Sequence, residues 1–354
     1  MKPIDKELVG VKEIAKRANV SIATVDRVIH NRTGVSVKTK DKILAIIKEL
    51  DNQPNLLARS LATRKVFHFA ILIPAVSEET TYWVAPLNGV LEAEAEIKRY
   101  GVSVEKYFFD QNDKATFVSQ AKAILKKEID GVLLAPMFIE EAANFTTVCE
   151  ERNIPYVFIN SDIPNQKSLC YIGPNLFHSG YTGAHLMSYV LKKDAKILLV
   201  NISKEIDNHH HLLRKEEGFR AYYKDKHSAI DIVKIDIRQT DYLSIKKSLL
   251  TAFKDNPDID AVFVTNSRVM AVARYLEETG NTNILLVGYD FLEKNIEFLK
   301  KDVIDFLICQ KPQEQAYKGL MSLHRKLVLS MNVEKTQFMP IDIITRENAD
   351  FYKN

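Results

Sequence analysis

Apolar residues recur at helical spacing over the first fifty positions, and beyond position 66 they gather into short solid runs separated by amphipathic stretches. VKEIAKRA places Val11, Ile14, Ala15 and Ala18 on one helical face. Asn19 follows, a residue type that tolerates the left-handed backbone of a tight turn. Ser21 is positioned to cap a second helix reaching about Ile29, with Val20, Val25, Val28 and Ile29 on its inner face. After HNRTGV, Ser36 can cap a third helix, KTKDKILAIIKEL, with Ile43, Ile46, Ile47 and Leu50 turned inward. Two helices joined by a short turn and closed by a third form a helix-turn-helix.

The outer face of the second helix carries Ile22, Ala23, Asp26, Arg27 and His30. A face selected only for solubility would carry Lys and Glu. In a helix-turn-helix the N-terminal residues of the second helix meet base edges in the DNA major groove. Ile22 and Ala23 suit thymine methyl groups, and Arg27 can grip guanine O6 and N7, worth ~1–3 kcal/mol of discrimination. The hydroxyls of Ser21 and Thr24 suit phosphates, which set register without reading sequence. Asp26 either accepts from a cytosine amine or orients a basic side chain; the residue pattern leaves both open.

DNQPNLLARSLATRK comes next, where Pro54 ends an extended segment and Asn55 can cap a short helix, LLARSLA. So short a helix does not hold alone, because nucleation costs more than so few hydrogen bonds return. Its order depends on a partner.

The later runs FHFAILIP, VSVEKYFFD, GVLLAP, YVFIN, KILLVNI, IDIVKIDI, AVFVTN, ILLVGYD and DFLICQ are rich in β-branched and aromatic residues, with helical stretches between them. This alternation predicts parallel sheets covered on both faces, and nine or ten strands divide best into two doubly wound subdomains. Ligands of such sheets bind beyond the C-terminal strand ends. Those ends present Ser77, Glu78, Asp110, Asp162, Asn201, Asn266, Asp290 and Gln310, with Tyr82 and Trp83 near the first. Carboxylates and amides with aromatic rings suit a neutral polyhydroxylated ligand such as a sugar. DNHHH, Asp207 to His211, holds three adjacent histidines that cannot all reach one metal from a regular helix. A helix start capped by Asp207 or Asn208, with His210 bonding ligand, is the expected arrangement. No metal or cofactor site is expected.

Charge sharpens the division. Residues 1–65 hold 14 Lys and Arg against 7 Asp and Glu, whereas residues 66–354 hold 35 against 39. A basic head on a mildly acidic body suits a polyanionic partner. The chain is 46% hydrophobic and 27% charged, a globular composition. No run approaches the ~18 apolar residues of a membrane helix, and MKPIDKELVGVKEIAKR lacks a signal peptide's apolar core, so a cytoplasmic protein is expected. The three cysteines, Cys149, Cys170 and Cys309, are widely spaced and read as small buried hydrophobes. The expected organisation is a helix-turn-helix domain over 1–53, a hinge helix and linker over 54–65, and an effector-binding and dimerisation body of two α/β lobes over 66–354.

The run from VKEIAKRANVSIATVDRV to PNLLARSL resembles the N-terminal module of the LacI/GalR family of bacterial regulators, and the body resembles the rest of that family. The resemblance implies that Ile22, Ala23 and Arg27 read bases. It implies too that Leu61 wedges between central base pairs in the minor groove, with Arg59 near phosphates. It places Asp162, Asn266 and Asp290 in an effector cleft between two periplasmic-binding-protein-like lobes, with Lys215, three before Gly218–Phe219, on the ligand. The chain departs from the family pattern at Asn19 (usually Gly), Asp26 (usually Ser) and Asn52 (usually aromatic). It departs again at Lys215 (commonly Arg), which loses a bidentate grip unless the adjacent Arg214 supplies it, and at Ser267 (usually Asp). The partners implied are a palindromic DNA operator, a small effector and a second copy of the chain, with further pairing of dimers left open. A solute-binding protein of a transport system would share the lobes, but it needs export and no DNA-binding head. Phosphate-cradling glycine motifs, a nucleophile elbow and HExxH are all absent, so no enzyme is expected.

Overall fold

The computed structural model describes residues 11–29, 32–49, 66–77 and 81–354. The chain divides into two compact units, Met1–Lys65 and Val66–Asn354.

In the head, helices Val11–Ala18, Ile22–Ile29 and Val37–Glu49 enclose Ile14, Ala15, Ala18, Val25, Val28, Ile43 and Ile46. Asn19 takes φ +56° at the turn between the first two helices. The Thr24 N–H donates to Ser21 Oγ at 3.2 Å, and the Thr39 N–H donates to Ser36 Oγ at 3.2 Å, so both serines cap as their positions predict. Val11 and Ile29 are not core residues. Val11 opens its helix and Ile29 closes its own, and they remain 38% and 39% exposed. Leu50 lies outside the described residues.

The body holds two six-stranded sheets. In chain order the strands are β1 Phe67–Pro74, β2 Val102–Phe109, β3 Gly131–Leu134, β4 Tyr156–Ile159, β5 Cys170–Gly173, β6 Lys196–Ile202, β7 Asp231–Ile237, β8 Ala261–Val264, β9 Leu285–Tyr289, β10 Phe306–Cys309, β11 Thr336–Phe338 and β12 Asp342–Ile344. The first lobe has the order β11-β5-β4-β3-β1-β2, all parallel, and the second β12-β10-β9-β8-β6-β7, parallel except for the β10–β12 pair. Central strands such as β3, β4 and β8 are buried along their whole length, because helices cover both faces of each sheet. All nine expected strands are present. β5, β11 and β12 add to them, at three or four residues each and too short to leave a period in the sequence.

The lobes are not consecutive segments. The chain leaves the first lobe after β5, returns after β10 to form helix Pro312–Leu327 on the first sheet, and crosses again between β11 and β12. Lys311, at φ +53°, makes the second crossing, immediately before Pro312 starts that helix. Three connections therefore join the lobes, after β5, at Lys311–Pro312 and between β11 and β12.

Candidate functional site

On the second helix of the head, Ile22 (49% exposed), Ala23 and Arg27 face outward while Val25 and Val28 are buried. The Ser21 and Thr24 hydroxyls lie 2.9 Å apart, and Ser21 Oγ also caps the helix. Arg32 Nη1 donates to Asp26 Oδ2 at 3.2 Å. Of the two arrangements open to Asp26, the free head therefore adopts the one in which the carboxylate holds a basic side chain. His30, Asn55, Arg59, Leu61 and Glu78 lie outside the described residues.

In the body, residues at the C-terminal strand ends of both lobes line one cleft of about 540 Å³, part of it open to solvent. Tyr82, Trp83, Gln111, Asn112, Met137 and Asn160 come from the first lobe. His209, His211, Lys215, Asn266, Ser267, Arg268, Asp290 and Gln310 come from the second. Asn160 (φ +68°) and Asp290 (φ +76°) turn directly off their strands through the left-handed region, which Asn and Asp enter more readily than other side chains. The Asp290 turn is pinned by Asn295 Nδ2, which donates to the carbonyls of Tyr289 and Asp290 at 3.0 Å each.

Two opposite charges sit in this cleft, and burial penalises both. Burial pushes the Asp290 carboxyl up to about 6, against the opposing pull of Lys215. Burial likewise pulls the Lys215 ammonium down to about 8, with Asp290 working the other way. Lys215 Nζ donates to the Thr265 carbonyl at 3.2 Å and lies 3.6 Å from the centre of the Tyr289 ring. Gln310 Nε2 approaches Asp290 Oδ1 at 3.4 Å. Asn266 is spent on the scaffold: its Nδ2 donates to the Ile202 carbonyl at 2.7 Å and its Oδ1 accepts from the Arg268 N–H at 3.2 Å. Opposite, Tyr82 Oη donates to Asn160 Oδ1 at 2.9 Å and packs edge-on to Trp83 with ring centres 5.1 Å apart.

Tyr82, Trp83, Lys215, Asn266, Asp290 and Gln310 are thus brought together, and six expected positions are not. Among the six is Asn201, whose Nδ2 is spent on Glu216 Oε2 at 3.1 Å and Asp236 Oδ1 at 2.8 Å outside the cleft lining. Asp110 stays exposed because its Oδ1 accepts the Asn112 N–H at 2.8 Å, closing its own turn, and Gln111 and Asn112 occupy the cleft instead. Ser77 is half-buried with its hydroxyl enclosed by protein outside the cleft lining. Asp162, His210 and Arg214 line a separate surface groove with Tyr171, Phe177 and Phe338. There Arg214 pairs with Glu217 and covers the Phe177 ring, so it does not restore the grip lost by having Lys at position 215.

The histidine run divides differently from expectation. The helix begins at His210 without a side-chain cap, because the capping position falls on His209, and Asp207 is instead engaged by Arg238 at 2.8 Å. His209, just before the helix, and His211, in the first turn, stack with ring centres 5.4 Å apart on the cleft side, and His210 points to the groove, with Nδ1 3.7 Å from Asp162 Oδ1. His209, His211, Gln111, Asn112 and Arg268 are cleft residues that strand-end reasoning missed. Each lies one or two positions from a residue it selected, or inside the run it flagged. Among the described residues no group of three or more His, Cys, Asp or Glu is placed to hold a metal ion.

Residues 69–328 match the model of a periplasmic binding protein domain, and residues 10–55 match that of the bacterial regulatory proteins of the lacI family. The chain belongs to the LacI family. Within it, the NTD biosynthesis operon regulator NtdR of Bacillus subtilis (strain 168) is 26% identical over 318 residues, 81% of this chain and 92% of that protein. The ribose operon repressor of Halalkalibacterium halodurans is 26% identical over 79% of this chain and 80% of its own length. A crystal structure from Bacteroides fragilis, described as a candidate LacI transcriptional regulator, superposes with a TM-score of 0.77 at 30% identity, over 82% of this chain and all of that one. Solute-binding proteins of sugar transporters share the body's fold at 19% identity or less, a likeness of fold alone. With a lacI-type head on this body, the LacI-family chain is a DNA-binding transcriptional regulator, and the transport alternative falls away.

Proposed function

We propose that the cleft binds a small polar metabolite of the sugar type, and that its occupancy changes the affinity of a homodimer for a two-fold-symmetric operator. One observation carries this reading: a buried carboxylate, a buried ammonium, several amides and the Tyr82–Trp83 pair meet between the two lobes. A ligand that touches both lobes binds the closed arrangement more tightly than the open one and shifts the equilibrium by that difference. The ribose named for one relative is consistent with such a ligand. Exposed Val84 and Leu91 on helix Val84–Ile97, and Phe108 on the edge strand β2, support a second copy docking there. Residues 54–65 would then carry lobe motion to the head, with Arg59 and Leu61 at the DNA and ligand releasing repression.

The reading is of a regulator, not an enzyme, acting where the chromosome is, in the cytoplasm. All three cysteines are buried, and burial pushes the thiols of Cys149 and Cys170 up to about 12 and about 11, far from a reactive thiolate. Among the described residues no helix is long and apolar enough to cross a membrane.

The test is calorimetric titration of the purified protein with sugars, sugar acids, sugar phosphates and nucleosides. Fluorescence anisotropy on duplexes selected from a random pool then reads the effect of any ligand on DNA. Selected duplexes with two-fold symmetry and a ligand-dependent affinity are expected. DNA affinity that no saturating ligand alters would refute the coupling.

A further inference from the structure

Three side chains lining the cleft are more than nine-tenths buried and each keeps one polar atom with no protein partner among the described residues. They are Gln111 Nε2 from the first lobe, and His209 Nε2 and Gln310 Oε1 from the second. Groups so enclosed are costly unless something bonds to them, so their donor and acceptor senses specify what the cleft is built to hold. The sense is fixed for Gln310: its Nε2 faces the Asp290 carboxylate at 3.4 Å, which leaves Oε1 as an acceptor. Gln111 Nε2 is a donor. His209 is held by Ser203, whose Oγ lies 2.9 Å from Nδ1 and also takes the Glu205 N–H at 3.4 Å. Burial pulls the imidazole down to about 4, so at neutral pH the ring is uncharged. The Ser203 hydroxyl can either donate to Nδ1 or accept from it, so Nε2 can meet a ligand group in either sense.

Resting on the sugar-type reading of the cleft, we infer that His209, with Gln111 and Gln310, selects an uncharged hydroxyl-bearing ligand against its acidic, phosphorylated and amino counterparts. A hydroxyl both donates and accepts, so it satisfies all three atoms. A carboxylate or phosphate oxygen placed against Gln310 Oε1 only accepts and sets lone pair against lone pair, and an ammonium placed against Gln111 Nε2 only donates and leaves that donor unmet. Discrimination of this kind is strong because a mismatched ligand strands a buried polar group of the site. His211, stacked on His209, and Phe138, with its ring centre 6.0 Å from that of His209, hold the imidazole plane in place.

The experiment is isothermal titration of the full chain at pH 7.5 with D-ribose, D-glucose, D-galactose and myo-inositol. D-ribose 5-phosphate, D-gluconate and D-glucosamine are the charged comparisons. The tightest binder is then repeated on His209→Phe, Gln111→Met and Asp290→Asn. His209→Phe keeps a ring of the same size beside Phe138 and His211, so its thermal midpoint should stay close to that of the parent. An uncharged compound should bind most tightly, and His209→Phe and Gln111→Met should each weaken it by about 10- to 100-fold. A charged compound that binds most tightly and is indifferent to His209→Phe would overturn the selection and leave the cleft reading standing. Unchanged binding of an uncharged ligand to His209→Phe would overturn the role of His209. No saturable heat from any probe would overturn this selection together with the sugar-type reading beneath it.

Discussion

Replacing Asp290 by Asn should make the body more stable while making it deaf to ligand. Burial raises this carboxyl from 3.8 to about 6, so between those values the folded protein holds a proton that the unfolded chain has released. Folding takes up that proton, and stability therefore falls as pH rises from about 4 to about 6 and carries the full penalty above. At ~1.4 kcal/mol per pH unit the penalty is about 3 kcal/mol. Because that value already includes the opposing pull of Lys215, Asn removes the whole penalty, and the net gain at pH 7.5 is about 3 kcal/mol, or about 5 °C in the midpoint of a domain of this size. Thermal unfolding of both proteins across pH 4.5 to 7.5 measures it directly. The variant's advantage should be smallest near pH 4.5 and grow through pH 6. A constant difference across that range, or a less stable variant at pH 7.5, would refute the argument that burial of an ionised carboxylate sets the cost.

Arg27→Ala should remove sequence preference between duplexes while keeping salt-sensitive binding to any DNA; unchanged preference in competition assays would take Arg27 off the base edges. Gly218→Ala should lower stability by about 1–3 kcal/mol, because the added Cβ would sit 1.9 Å from the Phe177 carbonyl oxygen and force helices Leu176–Ser188 and His210–Asp225 apart. A urea midpoint equal to the parent's would show that this helix pair yields without cost. Asn19→Val should destabilise the head by about 1–2 kcal/mol, since a β-branched side chain resists φ +56°. Asn19→Gly should not, and equal loss in both variants would mean that the Asn side chain, not the backbone, matters there.

The strands were legible because sheets covered on both faces leave continuous apolar runs, and the head because its cap serines and its Asn19 turn are local signals. β11 and β12 were not legible. Each is three residues long and owes its existence to the sheet edge it joins. Asp290 and Gln310 could be found because a polar residue right after a buried strand has few places to go except the cleft. Asp110 obeys the same rule yet spends its carboxylate on its own turn, a choice of rotamer that no spacing reveals. His209 and His211 needed the helix start to be known to one residue, since a shift of one would have sent His210 to the cleft in their place.

The order in which the lobes are threaded governs how the regulator is made. The first lobe contains β1 to β5 but also helix Pro312–Leu327 and β11, so its sheet stays without one covering helix until nearly the whole message has been translated. Ala316, Leu320 and Leu323 of that late helix complete the core around Leu133, Val157 and Ile172. The second lobe is almost continuous from β6 to β10, and lacks only β12 when the ribosome reaches position 310. A premature stop there would spare most of one lobe and unmake the other, although every strand of the damaged lobe except the last had already been synthesised. The DNA-reading head, made first, would survive such a truncation on a body unable to close over its ligand.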